Sequence, residues 1–164
     1  MKAESVVTIR KELKHKSPEE LQELCLRLAR FKAENKELLT YLLFESENEE
    51  HYIETVKSYI DEQFAEIGTN NFYYIKKSVR KILRNTKKYI RYSKIKETDL
   101  ELLIYFCKKL KTFKPSIKSN STLMNLHNRT LEIATKKILK LHEDLQFDYA
   151  SEIESLQEDE GYNY

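Results

Sequence analysis

Phe72–Lys96 reads FYYIKKSVRKILRNTKKYIRYSKIK, and it holds ten basic residues and no acid. Phe72, Ile75, Val79, Ile82, Leu83, Thr86 and Ile90 recur at three- and four-residue intervals, the repeat of one helical face. The stretch is therefore an amphipathic helix over about 71–93, with its apolar side committed to a core. Two cationic stripes flank that side: Lys76, Arg80, Arg84, Lys87 and Arg91 on one edge, and Lys77, Lys81 and Lys88 on the other. The neighbouring segments have the opposite sign. Glu45–Glu66 carries eight acids and one lysine, and Asp144–Tyr164 carries seven acids and no base. A net charge of +2 conceals this polarity.

The same periodicity runs outward in both directions. Val6, Ile9 and Leu13 mark a short helix at 5–15. Ser17-Pro18-Glu19-Glu20 is a capping box with proline at the first helical position, and it opens a helix to about Lys32. Leu21, Leu24, Cys25, Leu28 and Phe31 are expected to face the core. Glu34-Asn35 is expected as a break, followed by a helix at 36–45 that is apolar on most sides and so central to the core. Asn48 or a neighbour starts the acidic helix, and Gly68 is placed to end it as a C′ glycine. Thr98-Asp99-Leu100-Glu101 reads as a second capping box, opening a helix to Thr112 with Leu100, Leu103, Ile104, Cys107 and Leu110 inward. Pro115 interrupts it. Further helices are expected at 121–142 and 145–156, with a frayed acidic end from Glu158.

At 164 residues, 40% hydrophobic and 34% charged, the chain reads as one domain over 1–157 with a tail at 158–164. Two glycines and two prolines are too few for a hairpin-rich sheet protein. The expected fold is all-α, six to eight helices in antiparallel hairpins, packed as a short HEAT- or armadillo-like stack or as an irregular bundle.

The segment KELKHKSPEELQELCLRLARFKAENKELLTYLLF, Lys11–Phe44, resembles uncharacterised families of small bacterial all-α proteins. In these a Ser/Pro-capped Leu-rich helix precedes a KE-x-x-x-Y-L helix, here Lys36–Leu42. The resemblance implies a helical fold and transfers no functional residue.

Most catalytic and cofactor chemistries find no motif. Gly68 and Gly161 are isolated, so no phosphate loop or dinucleotide fingerprint exists. Cys25 and Cys107 are too few for a disulfide framework and, lying among apolar residues, read as buried reduced thiols. Of His15, His51, His127 and His142, only His15 has the Glu-x-x-His spacing of a helical carboxylate metal site, with Glu12. No stretch is long and apolar enough to span a bilayer, and the N-terminus does not read as a signal peptide. The expectation is a cytoplasmic, non-enzymatic protein without cofactor or metal.

Two readings of the basic helix remain. Lys76, Lys77, Arg80, Lys81, Arg84, Lys87, Lys88 and Arg91 form an anion- or partner-binding face in one. Phe72, Tyr73, Tyr74, Tyr89 and Tyr92 would then be available for stacking, and Lys108, Lys109, Lys111, Lys114 and Lys118 would extend the surface. In the other, helix 48–66 and the acidic tail neutralise it within the fold. The favoured function is a helical interaction module binding another protein, with an acidic surface as the partner. Nucleic-acid binding through 72–96 is the alternative.

Overall fold

The computed structural model describes residues 2–157. The fold is all-α, with eight α-helices and, among the described residues, no strand: α1 Val6–Leu13, α2 Pro18–Phe31, α3 Ala33–Thr40, α4 Glu49–Ala65, α5 Phe72–Ser93, α6 Lys96–Thr112, α7 Ser121–Ile138 and α8 Glu143–Gln157. The segment expected to fray, from Glu158, lies outside the described residues. Where one domain was expected over 1–157, the chain divides into two compact units, Met1–Phe44 and Glu45–Tyr164.

In the first unit the Ser17 capping box forms as its residue types require. The Ser17 hydroxyl accepts from the Glu20 amide at 3.2 Å, and the Glu20 carboxylate accepts from the Ser17 amide at 2.8 Å. The break between α2 and α3 falls at Lys32, in extended conformation, and not at Glu34-Asn35. Asn35 sits in the first turn of α3, where its side-chain amide donates to the Leu28 carbonyl at 2.8 Å and ties the hairpin shut. Helix α3, expected to be central to the core, holds no buried residue. It gives way to a π-helical turn at Tyr41–Glu45, and Leu42, Leu43 and Phe44 are exposed. The stripe expected inward on α2 is also open, with Leu24, Leu28 and Phe31 at 40%, 60% and 77% exposure. Cys25 is exposed rather than buried, whereas Cys107 is buried.

The second unit is organised around α6. Leu100, Leu102, Leu103, Ile104, Phe106, Cys107 and Leu110 are each at most 1% exposed, apolar on more sides than one packing partner could cover. Cross-links between helices give the directions. Tyr52 to Tyr89 and Tyr59 to Asn85 run in opposite order, so α4 and α5 are antiparallel. Lys57 to Glu101 and Asp61 to Lys109 ascend together, so α4 and α6 are parallel. Asp99 to Lys137 and Cys107 to His127 make α6 and α7 antiparallel. Lys108 to Glu152 and Lys111 to Ser155 make α6 and α8 parallel. One helix is thus packed by α4, α5, α7 and α8 together. A stack of hairpins touching only sequential neighbours would not do this, and the unit is an irregular bundle.

Two turns differ from expectation. Among the described residues no glycine has positive φ, so Gly68 does not close α4 in the left-handed conformation. That conformation occurs instead at Lys94 (φ 60°), which ends α5 and donates to the Ile90 carbonyl at 3.3 Å. The second capping box does not form, because α6 already begins at Lys96. Thr98 is fully buried in the first turn, and its hydroxyl donates to Glu49 Oε1 at 2.5 Å.

Candidate functional site

Asn71 caps α5, its side chain accepting from the Tyr73 amide at 2.9 Å. The 22 residues that follow make a rod about 33 Å long. Ile75, Val79, Ile82, Leu83, Thr86, Ile90 and Tyr92 are buried, which reproduces the expected core face except for half-buried Phe72. The Thr86 hydroxyl, fully enclosed, donates to the Ile82 carbonyl at 2.9 Å and so adds no unmet polar group.

Anchoring of that face turns the cations outward. Lys77, Arg80, Lys81, Arg84, Lys87 and Arg91 are exposed, while Lys76 and Lys88 are half-buried. Tyr73, Lys76, Lys77, Ser78, Arg80, Lys81 and Arg84 line an open groove of about 630 Å³ on this face. The Lys88 ammonium sits over the Tyr89 ring, 4.8 Å from its centroid. Among the described residues, no ion pair joins Lys76, Lys77, Arg80, Lys81, Arg84, Lys87 or Arg91 to a carboxylate.

Of the acids that were candidates to neutralise this helix, those from Glu158 onward lie outside the described residues, and several of the others are engaged elsewhere. Lys57 of α4 bridges Glu54 at 2.8 Å and Glu101 at 2.6 Å. Asp61 pairs with Lys109 at 2.9 Å and accepts from the Tyr105 hydroxyl at 2.8 Å. Glu49 Oε1 accepts from Ser93 and from Thr98, joining the start of α4 to the α5–α6 turn. Burial disfavours the Lys57 ammonium, but its hydrogen bonds to Glu101 and Glu54 outweigh this and raise its pKa. Burial, then the Asp61 carboxylate, push the Tyr105 hydroxyl up to about 12. Burial pushes the Cys107 thiol up to about 12 against the opposing charge of Lys87, so it is a poor nucleophile.

The lysines of α6 do not extend the basic face as expected. Lys108 pairs with Glu152, and Lys111 donates to the Ser155 and Leu156 carbonyls at 3.1 and 3.0 Å, at the carbonyl end of α8. Lys114 and Lys118 are exposed beyond the end of α6. The aromatic set also narrows. Tyr89 is half-buried and edge-on to Tyr59 at 5.3 Å, and Tyr92 is buried. Tyr73 and Tyr74 remain outward, at 68% and 56% exposure, edge-to-face with each other at 5.2 Å.

The histidines are scattered. His127 is buried, its Nδ1 3.1 Å from Asn128 Oδ1; His15, His51 and His142 are exposed. Among the described residues no group of three or more His, Cys, Asp or Glu side chains is arranged to hold a metal ion, and no helix is long and apolar enough to cross a membrane. The sequence reading missed the open apolar face of α2, because its leucine spacing is also that of a core stripe. No family model matches the chain, and neither a curated protein nor a solved structure matches it.

Proposed function

We propose that the protein is a binding module whose α5 face engages the phosphate backbone of a nucleic acid. One observation supports this reading: Asp61 of α4 and Glu152 of α8 pair with lysines of α6, while among the described residues no ion pair joins Lys76, Lys77, Arg80, Lys81, Arg84, Lys87 or Arg91 to a carboxylate. A ridge of like charge at three- and four-residue spacing costs its own helix stability. A polyanion lying along it would relieve that repulsion and release condensed counterions. The outward side chains are Lys77, Lys81, Lys87, Arg80, Arg84 and Arg91, with Tyr73 and Tyr74 as the aromatic ones at one end. Protein interfaces are depleted in lysine and centred on apolar anchors, whereas phosphate contacts need only cations and ring faces for stacking.

An acidic protein surface is the competing partner, since the same cations serve it. Fluorescence anisotropy of the full chain with labelled single- and double-stranded DNA and RNA, and with labelled poly-glutamate, separates the two. With five cations engaged, log K should fall with log salt at a slope of roughly −3.5 on single strands to −4.5 on duplex. The variant Lys77→Gln/Arg80→Gln/Arg84→Gln/Arg91→Gln should lose this binding while its circular dichroism stays helical. Poly-glutamate binding as tight as nucleic acid at matched charge would transfer the face to an acidic protein. No binding of either at low salt would overturn both.

A further inference from the structure

We propose that α2 is a self-association helix: two copies of this chain pair through it, antiparallel, about a two-fold axis near its middle. Leu21, Leu24, Leu28 and Phe31 follow one another at intervals of three, four and three residues, the spacing of a seam between two helices. Leu21 is half-buried, and the other three are exposed. The side of α2 carrying Leu26 and Ala29 is the one turned toward the following segment, lining a groove with Leu39 and Leu43. The open seam is therefore a second apolar face and not the inside of the α2–α3 hairpin.

The size of the unit makes a solitary existence costly. Among described residues 2–44, Tyr41 alone is buried. Chains near this length bury too little surface to be stable without disulfides, metals or oligomerisation.

Charge selects the occupant and its direction. The first half of α2 carries Glu19, Glu20 and Glu23; the second half carries Arg27 and Arg30, followed by Lys32. Arg27 and Arg30 have no ion-pair partner among the described residues. A groove of about 560 Å³ on this helix is lined by Leu24 with Glu19, Glu23, Arg27 and Arg30 beside it. An antiparallel copy sets each acidic half against the other's basic half, and a parallel copy would set like against like. A helix of one sign would fit only half of the face. The self-complementary pattern is what an isologous two-fold contact requires. Cys25 lies at the centre of α2, so both copies of this exposed thiol come close to the axis.

Sedimentation equilibrium of the full chain tests this, with thiol crosslinking by a short bismaleimide as a second readout. The wild type should be a dimer that crosslinks through Cys25, and Cys25→Ser should abolish the crosslink, since Cys107 is buried. Leu28→Glu/Phe31→Glu changes side chains that are exposed within one chain, so helicity should persist while self-association weakens by at least about tenfold. Glu19→Lys/Glu23→Lys and Arg27→Glu/Arg30→Glu should each be monomeric alone and should form a heterodimer when mixed. A wild-type chain that is monomeric up to high micromolar concentration overturns the proposal. So does a dimer that the Leu28/Phe31 variant leaves intact.

Discussion

Tyr105 shows how one side chain can tie two helices and report on their packing. Its hydroxyl donates to Asp61 across the α4–α6 contact, both carboxylate oxygens lying at 2.8 Å. The folded chain holds this proton up to about 12, against an ordinary value of 10.0. Between those values the folded state binds more protons than the unfolded one, so stability falls as pH rises. The contribution is whole below pH 10 and lost toward pH 12. Tyr105→Phe should therefore cost about 1 kcal/mol at neutral pH, through the lost bond to a charged acceptor at a partly solvated site. Urea denaturation at stepped pH should show the two proteins converging from pH 10 to 12. A constant difference would mean that the bond does not govern the proton. Thr98 gives the complementary lesson. Its Thr-x-x-Glu spacing matches a cap in sequence, but the buried hydroxyl serves Glu49 of another helix.

At the scale of the element, α5 sets like charges beside one another. Arg84 has Arg80 and Lys88 four residues away and Lys81 and Lys87 three residues away, all like-charged neighbours on the helix surface. Arg84→Glu would turn these repulsions into attractions of about 0.2–0.5 kcal/mol each. Thermal unfolding at low salt should rise in this variant, the gain shrinking at high salt, while nucleic-acid affinity falls. If stability and affinity fell together, Arg84 would be holding the fold rather than facing a ligand. The length and buried face of α5 were legible in the sequence, because its periodicity is unbroken from Ile75 to Ile90. That Lys77, Arg80, Lys81, Arg84, Lys87 and Arg91 make no ion pair among the described residues was not. The acids of α4 stand next in sequence, and only the parallel packing of α4 on α6 shows where Lys57 and Asp61 turn.

The whole molecule has two units of different character. The unit from Glu45 onward concentrates its burial on α6, so Phe106→Ala should cost about 3–5 kcal/mol, a large part of a domain's typical 5–15. Leu28→Ala, at a side chain 60% exposed in the other unit, should stay within about 0.5 kcal/mol when measured at a concentration too low for self-association. Chemical denaturation of the two variants checks this. Comparable losses at both positions would mean that Leu28 supports a core in the single chain.

What the sequence determined by itself was the class of structure and most of its parts. Helical periodicity, the Ser17 box, the start near Asn48 and the scarcity of glycine and proline are local facts, and local hydrogen bonding and sterics act on them directly. The tertiary structure alone decided which leucine stripe is covered, which helix is the hub and which charges are paired. A stripe at three- and four-residue spacing signals an apolar face but not what covers it. Leu100–Leu110 is enclosed by α4, α5, α7 and α8; Leu24, Leu28 and Phe31, with the same spacing, stayed open. Ion pairs likewise depend on separations of a few ångströms between helices distant in sequence. For that reason the cationic face of α5 was visible as composition, and became a candidate site only through the packing of its neighbours.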